Sequence, residues 1–227
     1  MNVKCICVCI PGDHFSYRWM MAWTELFAKL CGRFHVGMVF ATSNNIYLVR
    51  EQCLKAAFCN PDGEPDYLLW IDSDNPPSAA GFDHLIGCLE ASQAVSVIGG
   101  WYRYFDPQSL EVRVAAGCLE DPYRNIREEE VLNAEHIIEV PFVGLGFCLM
   151  RAQVVKDIGI ENCFEPYFYH EPKNRRFATD DDGFGFRAKE AGHRIFLHPA
   201  VFVPHEKPMH VPASFENRHE IPVLKEL

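Results

Sequence analysis

The chain has ten cysteines, yet no two stand three residues apart. The C-x2-C spacing with which structural zinc modules present their thiolates is therefore missing, and a zinc ribbon is excluded. Three of the ten, Cys5, Cys7 and Cys9, alternate inside the apolar run VKCICVCI. At a period of two they share one strand face, where bridges among them are geometrically poor, so small buried hydrophobes in a reducing compartment are expected. Long apolar runs are scarce too. The longest, VPFVGLGFCLM at 140–150, falls far short of the ~20 residues that cross a bilayer. The N-terminal run stops at Pro11-Gly12-Asp13, too soon for a secretory core. A cytoplasmic protein without a membrane span is the expectation.

Positive charge is in short supply: 21 Lys and Arg face 31 Asp and Glu, for a net charge of −10, and neither half of the chain is basic. A protein that grips a polyanion by neutralising phosphates carries a concentrated positive face, so generic nucleic-acid binding loses weight. Two nucleotide signatures are absent as well. The turn PGDHFSY lacks G-x-G-x-x-G, and no G-x-x-x-x-G-K-[ST] occurs, which excludes a dinucleotide oxidoreductase and a P-loop kinase. HEKPMH at 205–210 looks like the zincin HExxH, but its second His is at i+5 and Pro208 would break the required helix. A metalloprotease is rejected.

What the sequence does contain is alternation. Periodicity predicts strands at 3–10, 35–40, 67–72 and 95–99, separated by helices at 17–31, 46–58 and 78–92. Such a βαβ series makes a parallel sheet whose C-terminal ends, at 11–13, 41–45 and 72–75, converge on one crevice. Residues 101–139 lose the period and are expected to form an insertion of short strands and loops, including the acidic run EEE at 128–130. A buried strand at 142–150, a helix at 151–158, an aromatic and basic loop, a helix at 180–191 and a strand RIFLHPAVFVPHE complete a domain over 1–206. Residues 207–227 are expected to be a surface tail.

Three constellations carry chemistry. LLWIDSDNPP ends an apolar strand in two carboxylates, Asp72 and Asp74. Paired charge at the rim of a buried strand calls for a cation, and hard oxygen ligands suit Mg2+ or Mn2+ completed by nucleotide phosphates. ATDDDGFGFRAKEAG sets Asp180, Asp181 and Asp182 at a helix start. One Asp would serve the cap and the dipole; three leave a carboxylate available as a base. His205 closes the last strand, where a His is an ordinary surface residue or a metal ligand.

In this order the segments resemble the GT-A glycosyltransferases, in particular the compact family-2-like enzymes of bacteria and phages, over about residues 3–206. CIPGDH is similar to that family's proline turn, YLVREQCLKAAF to its arginine helix with Glu51 in place of the usual Asn, LLWIDSDNPP to its D-x-D, GGWYRY to the segment after its fourth strand, PFVGLGFCLMRAQVV to its G-x-G-F strand, and TDDDGFGFRAKEAG to its E-D-x-x-F-x-x-R block, ahead of a terminal His. The resemblance implies a mixed α/β sheet with helices on both faces, in a single domain. It implies transfer of a sugar from a nucleotide donor, UDP-linked, to an acceptor hydroxyl with inversion. Pro11, Arg50, Asp72 and Ser73 are then expected at the donor, Asp72, Asp74 and His205 at Mn2+ or Mg2+, and Asp181 as general base, with Asp180 and Asp182 as alternatives in register. The acceptor stays open among a modified DNA base, a polysaccharide and a protein, with KNRR at 173–176 the single hint of nucleic acid. A sugar nucleotidyltransferase and a non-catalytic sugar-binding module of the same fold are the rival readings.

Overall fold

A computed structural model of the chain describes residues 3–59, 63–106, 110–119, 124–170 and 175–207. The elements run β1 (Cys5–Pro11), α1 (Tyr17–Cys31), β2 (His35–Ala41), α2 (Ile46–Phe58), β3 (Tyr67–Ile71), α3 (Ala79–Ala91) and β4 (Val97–Trp101). A hairpin of β5 (Arg103–Asp106) and β6 (Glu111–Val114), the short α4 (Glu128–Leu132) and β7 (Ile138–Val140) follow. Then come β8 (Phe147–Arg151), α5 (Ala152–Ile158), a second hairpin of β9 (Phe168–His170) and β10 (Arg175–Phe177), α6 (Asp180–Glu190) and β11 (Ile195–Phe202).

Seven strands form one sheet in the order β2-β1-β3-β8-β4-β11-β7. Strands β1 to β3 are parallel neighbours, and β4 pairs in parallel with β11. β8 runs antiparallel between β3 and β4, and β7 antiparallel beside β11. Period-two alternation divides β1 between two cores. Ile6, Val8 and Ile10 pack with Trp19, Trp23, Leu26 and Phe82 of α1 and α3. Cys7 and Cys9 pack on the other face with Cys53 and Leu54 of α2, Val154 of α5 and Phe184 of α6. Helices therefore cover both faces of a single domain, and all ten cysteines are free thiols. Among the described residues no helix is long and apolar enough to cross a membrane.

Several boundaries differ from expectation. The strand expected at 142–150 begins only at Phe147, because 142–146 bends away to let Ala116 pair with Val143 and Gly117 N–H reach Phe142 O. The insertion is more ordered than its lack of period implied. EEE at 128–130 is the first turn of α4, where negative charge complements the helix dipole, and β7 joins the main sheet. The aromatic and basic loop contains the β9–β10 hairpin; in KNRR, residues 173–174 lie outside the described residues. Of the expected tail, Lys207 alone lies within them.

Candidate active site

The C-terminal ends of β1, β3, β4 and β11 meet at one cleft. β1 ends in Pro11, and Gly12 turns the chain with φ +118°, a conformation that favours glycine. A Cβ there would also stand 2.1 Å from Ser73 Oγ. Gly12 N–H donates to Ala41 O (2.9 Å) and Ser73 N–H to Pro11 O (3.3 Å), which lays the first turn directly on the D-x-D turn.

Asn45 caps α2, its Oδ1 accepting from Tyr47 and Leu48 N–H. The buried positions of α2, Val49, Arg50, Cys53, Leu54 and Ala57, recur at helical spacing, so Arg50 sits on the core side of the helix at the start of its second turn, at 2% exposure. An arginine there needs acceptors. Its Nη1 and Nη2 donate to the two oxygens of Asp72 (3.0 and 3.1 Å), its Nε to Asp180 Oδ2, and Nη2 lies 3.6 Å from Asp181 Oδ1. The guanidinium also lies over the Trp70 ring, 5.3 Å from its centre. Burial raises the Asp72 carboxyl, against the pull of this guanidinium.

Asp74 meets His205 across the cleft. His205 Nδ1–H donates to Arg103 O (2.9 Å), and its Nε2 lies 3.3 Å from Asp74 Oδ2. Lys207 Nζ, 2.5 Å from the same oxygen, supplies positive charge. Burial alone would raise the Asp74 carboxyl, but hydrogen bonds from His205 and Lys207 outweigh it and hold it at about 2. The turn is tied down on either side of the histidine, by Asn75 Nδ2–H to Pro204 O (2.9 Å) and Glu206 N–H to Asp74 O (2.7 Å). The G-x-G of VGLGF makes room for two side chains: a Cβ at Gly144 would meet Tyr102 Oη at 2.4 Å, and one at Gly146 would meet Asn75 Oδ1 at 2.3 Å. Among the described residues no three His, Cys, Asp or Glu side chains converge as a metal cage. A cation between Asp74 and His205 would take its other ligands from phosphate and water, the usual habit of Mg2+.

The three aspartates divide their work. Thr179, not an aspartate, caps α6, its Oγ1 accepting from Asp182 N–H (3.3 Å). Asp180 is engaged by Arg50. Asp181 Oδ1 accepts from Leu145 N–H (3.3 Å), and among the described residues its Oδ2 has no hydrogen-bond partner. Burial, and then the adjacent charge of Asp180, push the Asp181 carboxyl well above the ordinary carboxylate range.

Pro11, Arg50, Asp72, Ser73, Asp74, Asp181 and His205 all line one cleft of about 480 Å³. Sequence reasoning missed Tyr102, Tyr104, Arg124, Asn125 and Lys207 in the same wall. Tyr102 and Tyr104 had a signal, since both lie in GGWYRY after a buried strand; Arg124 and Asn125 come from the insertion and Lys207 lies past the last strand. Arg124 is turned to Glu130, with Nη–O distances of 2.8 and 3.1 Å.

A mixed sheet of this kind, helices on both faces and an acidic pair at the rim of β3, is a GT-A fold. The chain belongs to the glycosyltransferase like family 2, whose family model matches residues 28–219. Over 135 residues it is 22% identical to the cellulose synthase catalytic subunit (UDP-forming) of Komagataeibacter sucrofermentans, a stretch that covers 60% of this chain and 17% of that protein. Two solved structures are similar with a TM-score of 0.51 each. A197 from STIV is 13% identical and matches 94% of this chain and 100% of its own. GalNAc-T7 with UDP, GalNAc and Mn2+ is 9% identical and matches 89% and 43%. The resemblance drawn from the motifs is borne out for family and fold.

Proposed function

We propose that the protein transfers a sugar from a UDP-linked donor to an acceptor hydroxyl, with inversion. The observation that carries this reading is the position of Asp181: a half-buried carboxylate with one oxygen unengaged among the described residues, in the same cleft as the Asp74–His205 pair. Pro11 and Ser73 take the nucleotide side of the cleft, and Arg50 serves it through Asp72. Asp74 and His205 hold Mn2+ or Mg2+, with Asp72 behind them; the ion's contribution when bound is positive charge where the diphosphate leaves. UDP in the name of one relative and UDP with Mn2+ in the GalNAc-T7 structure support that choice. As the acceptor oxygen attacks the anomeric carbon, Asp181 takes its proton, and the electrons of the breaking bond go to the diphosphate oxygen.

The test is a panel of nucleotide sugars with Mn2+ and with EDTA, read as release of nucleoside diphosphate. Metal-dependent release from a UDP-sugar, faster with a hydroxyl acceptor, is the expected result. Pyrophosphate released from a sugar 1-phosphate and a nucleoside triphosphate would instead establish a nucleotidyltransferase. Binding of UDP-sugar without any turnover would establish a non-catalytic module.

A further inference from the structure

We propose that Arg50 is a positioning residue that selects Asp181 as the base from three consecutive aspartates, by engaging Asp180 and locking the start of α6 to the D-x-D turn. This rests on the reading of Asp181 as general base given above. The geometry is specific. Nε is directed at Asp180, and Nη1 and Nη2 clasp both oxygens of Asp72 at 3.0 and 3.1 Å. The planar guanidinium matches a carboxylate in a way that a lysine ammonium cannot. Its distance to Asp181, 3.6 Å, is too long for a direct hydrogen bond but short enough for strong electrostatic coupling. Arg50 therefore uses Asp180 and Asp72 as ligands while Asp181 remains available to a substrate.

The locking has a second anchor one helical turn earlier. Tyr47 Oη–H donates to Ala178 O (2.8 Å), just ahead of Thr179, so two residues of α2 spaced i, i+3 hold the entry to α6. Burial, and then Asp180, push the Tyr47 hydroxyl up to about 12, which keeps it a donor. The groups that face Asp181 are Asp180 and Asp182 on its own helix, Arg50 and Tyr47 on α2, Asp72 after β3, Tyr102 after β4 and Cys148 on β8. Among these described groups Arg50 is the cation, and Asp180 is the strongest source of repulsion.

Two substitutions should then move the titration of Asp181 in opposite directions. Arg50→Lys loosens the clasp and withdraws positive charge, so the titration moves up. Asp180→Asn keeps an acceptor for Nε and removes a negative neighbour, so it moves down; a shift of roughly one pH unit is expected in each case. The measurement is 13C NMR of the aspartate carboxyls in the full chain, with Asp181 assigned through Asp181→Asn, and it needs no turnover. A purely structural Arg50 would leave the titration in place in Arg50→Lys, and that result overturns the proposal. Should Arg50→Lys fail to fold, Asp180→Ala set against Asp180→Asn decides: both remove the same charge, but only asparagine keeps an acceptor for Nε, so equal Asp181 titrations in the two overturn the proposal. The acid limb of kcat/KM, measured in parallel, separates the two readings. A carboxyl that moves without moving the rate limb sinks the base role of Asp181 while leaving Arg50's control of it standing.

Discussion

β11 has a histidine beside each end, and each faces an aspartate. His193, before the strand, places Nε2 2.9 Å from Asp157 Oδ2 and Nδ1 3.1 Å from Ser96 Oγ. His205, after it, places Nε2 3.3 Å from Asp74 Oδ2 with Nδ1 on a backbone carbonyl. By inventory the first pair is the more suggestive, since Ser, His and Asp fall in a row. Yet Ser96 is buried at the start of the β4 segment, and neither it nor His193 lines the cleft. Their bonds tie β4 to α5 and to the turn after α6. The second pair opens on the cleft and carries the ammonium of Lys207. The difference lies in position: one pair sits at the ends where parallel strands begin, the other where they finish and ligands gather.

That contrast can be broken most severely at Arg50, which serves the functional end alone. Arg50→Met should leave Asp72, Asp180 and Asp181 without their shared cation and cost about 3–5 kcal/mol, seen as a lowered urea midpoint. A midpoint within error of the parent would mean that the carboxylates find other partners.

Next is Asp181→Asn, predicted to cut turnover by roughly 10²-fold or more. The same substitution should raise Tm, since a carboxyl pushed above its ordinary range penalises folding once charged. That penalty is absent below the unfolded value of about 3.9, grows as pH rises towards the native value and is full above it. Asp181→Asn should therefore gain most at neutral pH and nothing below about pH 3; an equal gain at both would refute the charge argument.

His205→Ala is expected to weaken UDP binding in the presence of Mn2+ by roughly tenfold, by titration calorimetry. Unchanged affinity would remove His205 from the donor site. The smallest effect belongs to the other histidine: His193→Ala should cost about 1 kcal/mol in stability with sugar transfer unaltered. A loss of transfer there would erase the distinction between the two ends.

Local pattern made much of this legible. The alternation of Cys5, Cys7 and Cys9 was enough to put Cys7 and Cys9 on one buried face of β1, and Asp72 and Asp74 could be placed at the cleft because a βαβ series has a functional rim, whereas Asp181 joined them through the family resemblance alone. What escaped was long-range. Nothing near YLVREQ says that Arg50 will meet Asp180, 130 residues later. Three aspartates in a row at a helix start look like capping groups, and the threonine that takes that duty was overlooked. β7 was lost because three residues are too few to show a period, and Lys207 because a residue beyond the last strand carries no pattern.

The placement of β8 has a consequence for how the chain acquires its structure. β3 and β4 point the same way, but the sheet order leaves a gap between them that β8 fills, with Tyr67 opposite Arg151 and Val97 opposite Met150. As the polypeptide leaves the ribosome, β4 has neither sheet neighbour until 147–151 and 195–202 have been made. The middle of the sheet is then the last part to close, a distant pairing that slows folding and leaves two sticky edges in the meantime. Pulsed hydrogen exchange during refolding should accordingly protect the β1–β2 amides before those of β4, and a nascent chain halted before Phe147 should lean on chaperones more than a completed one.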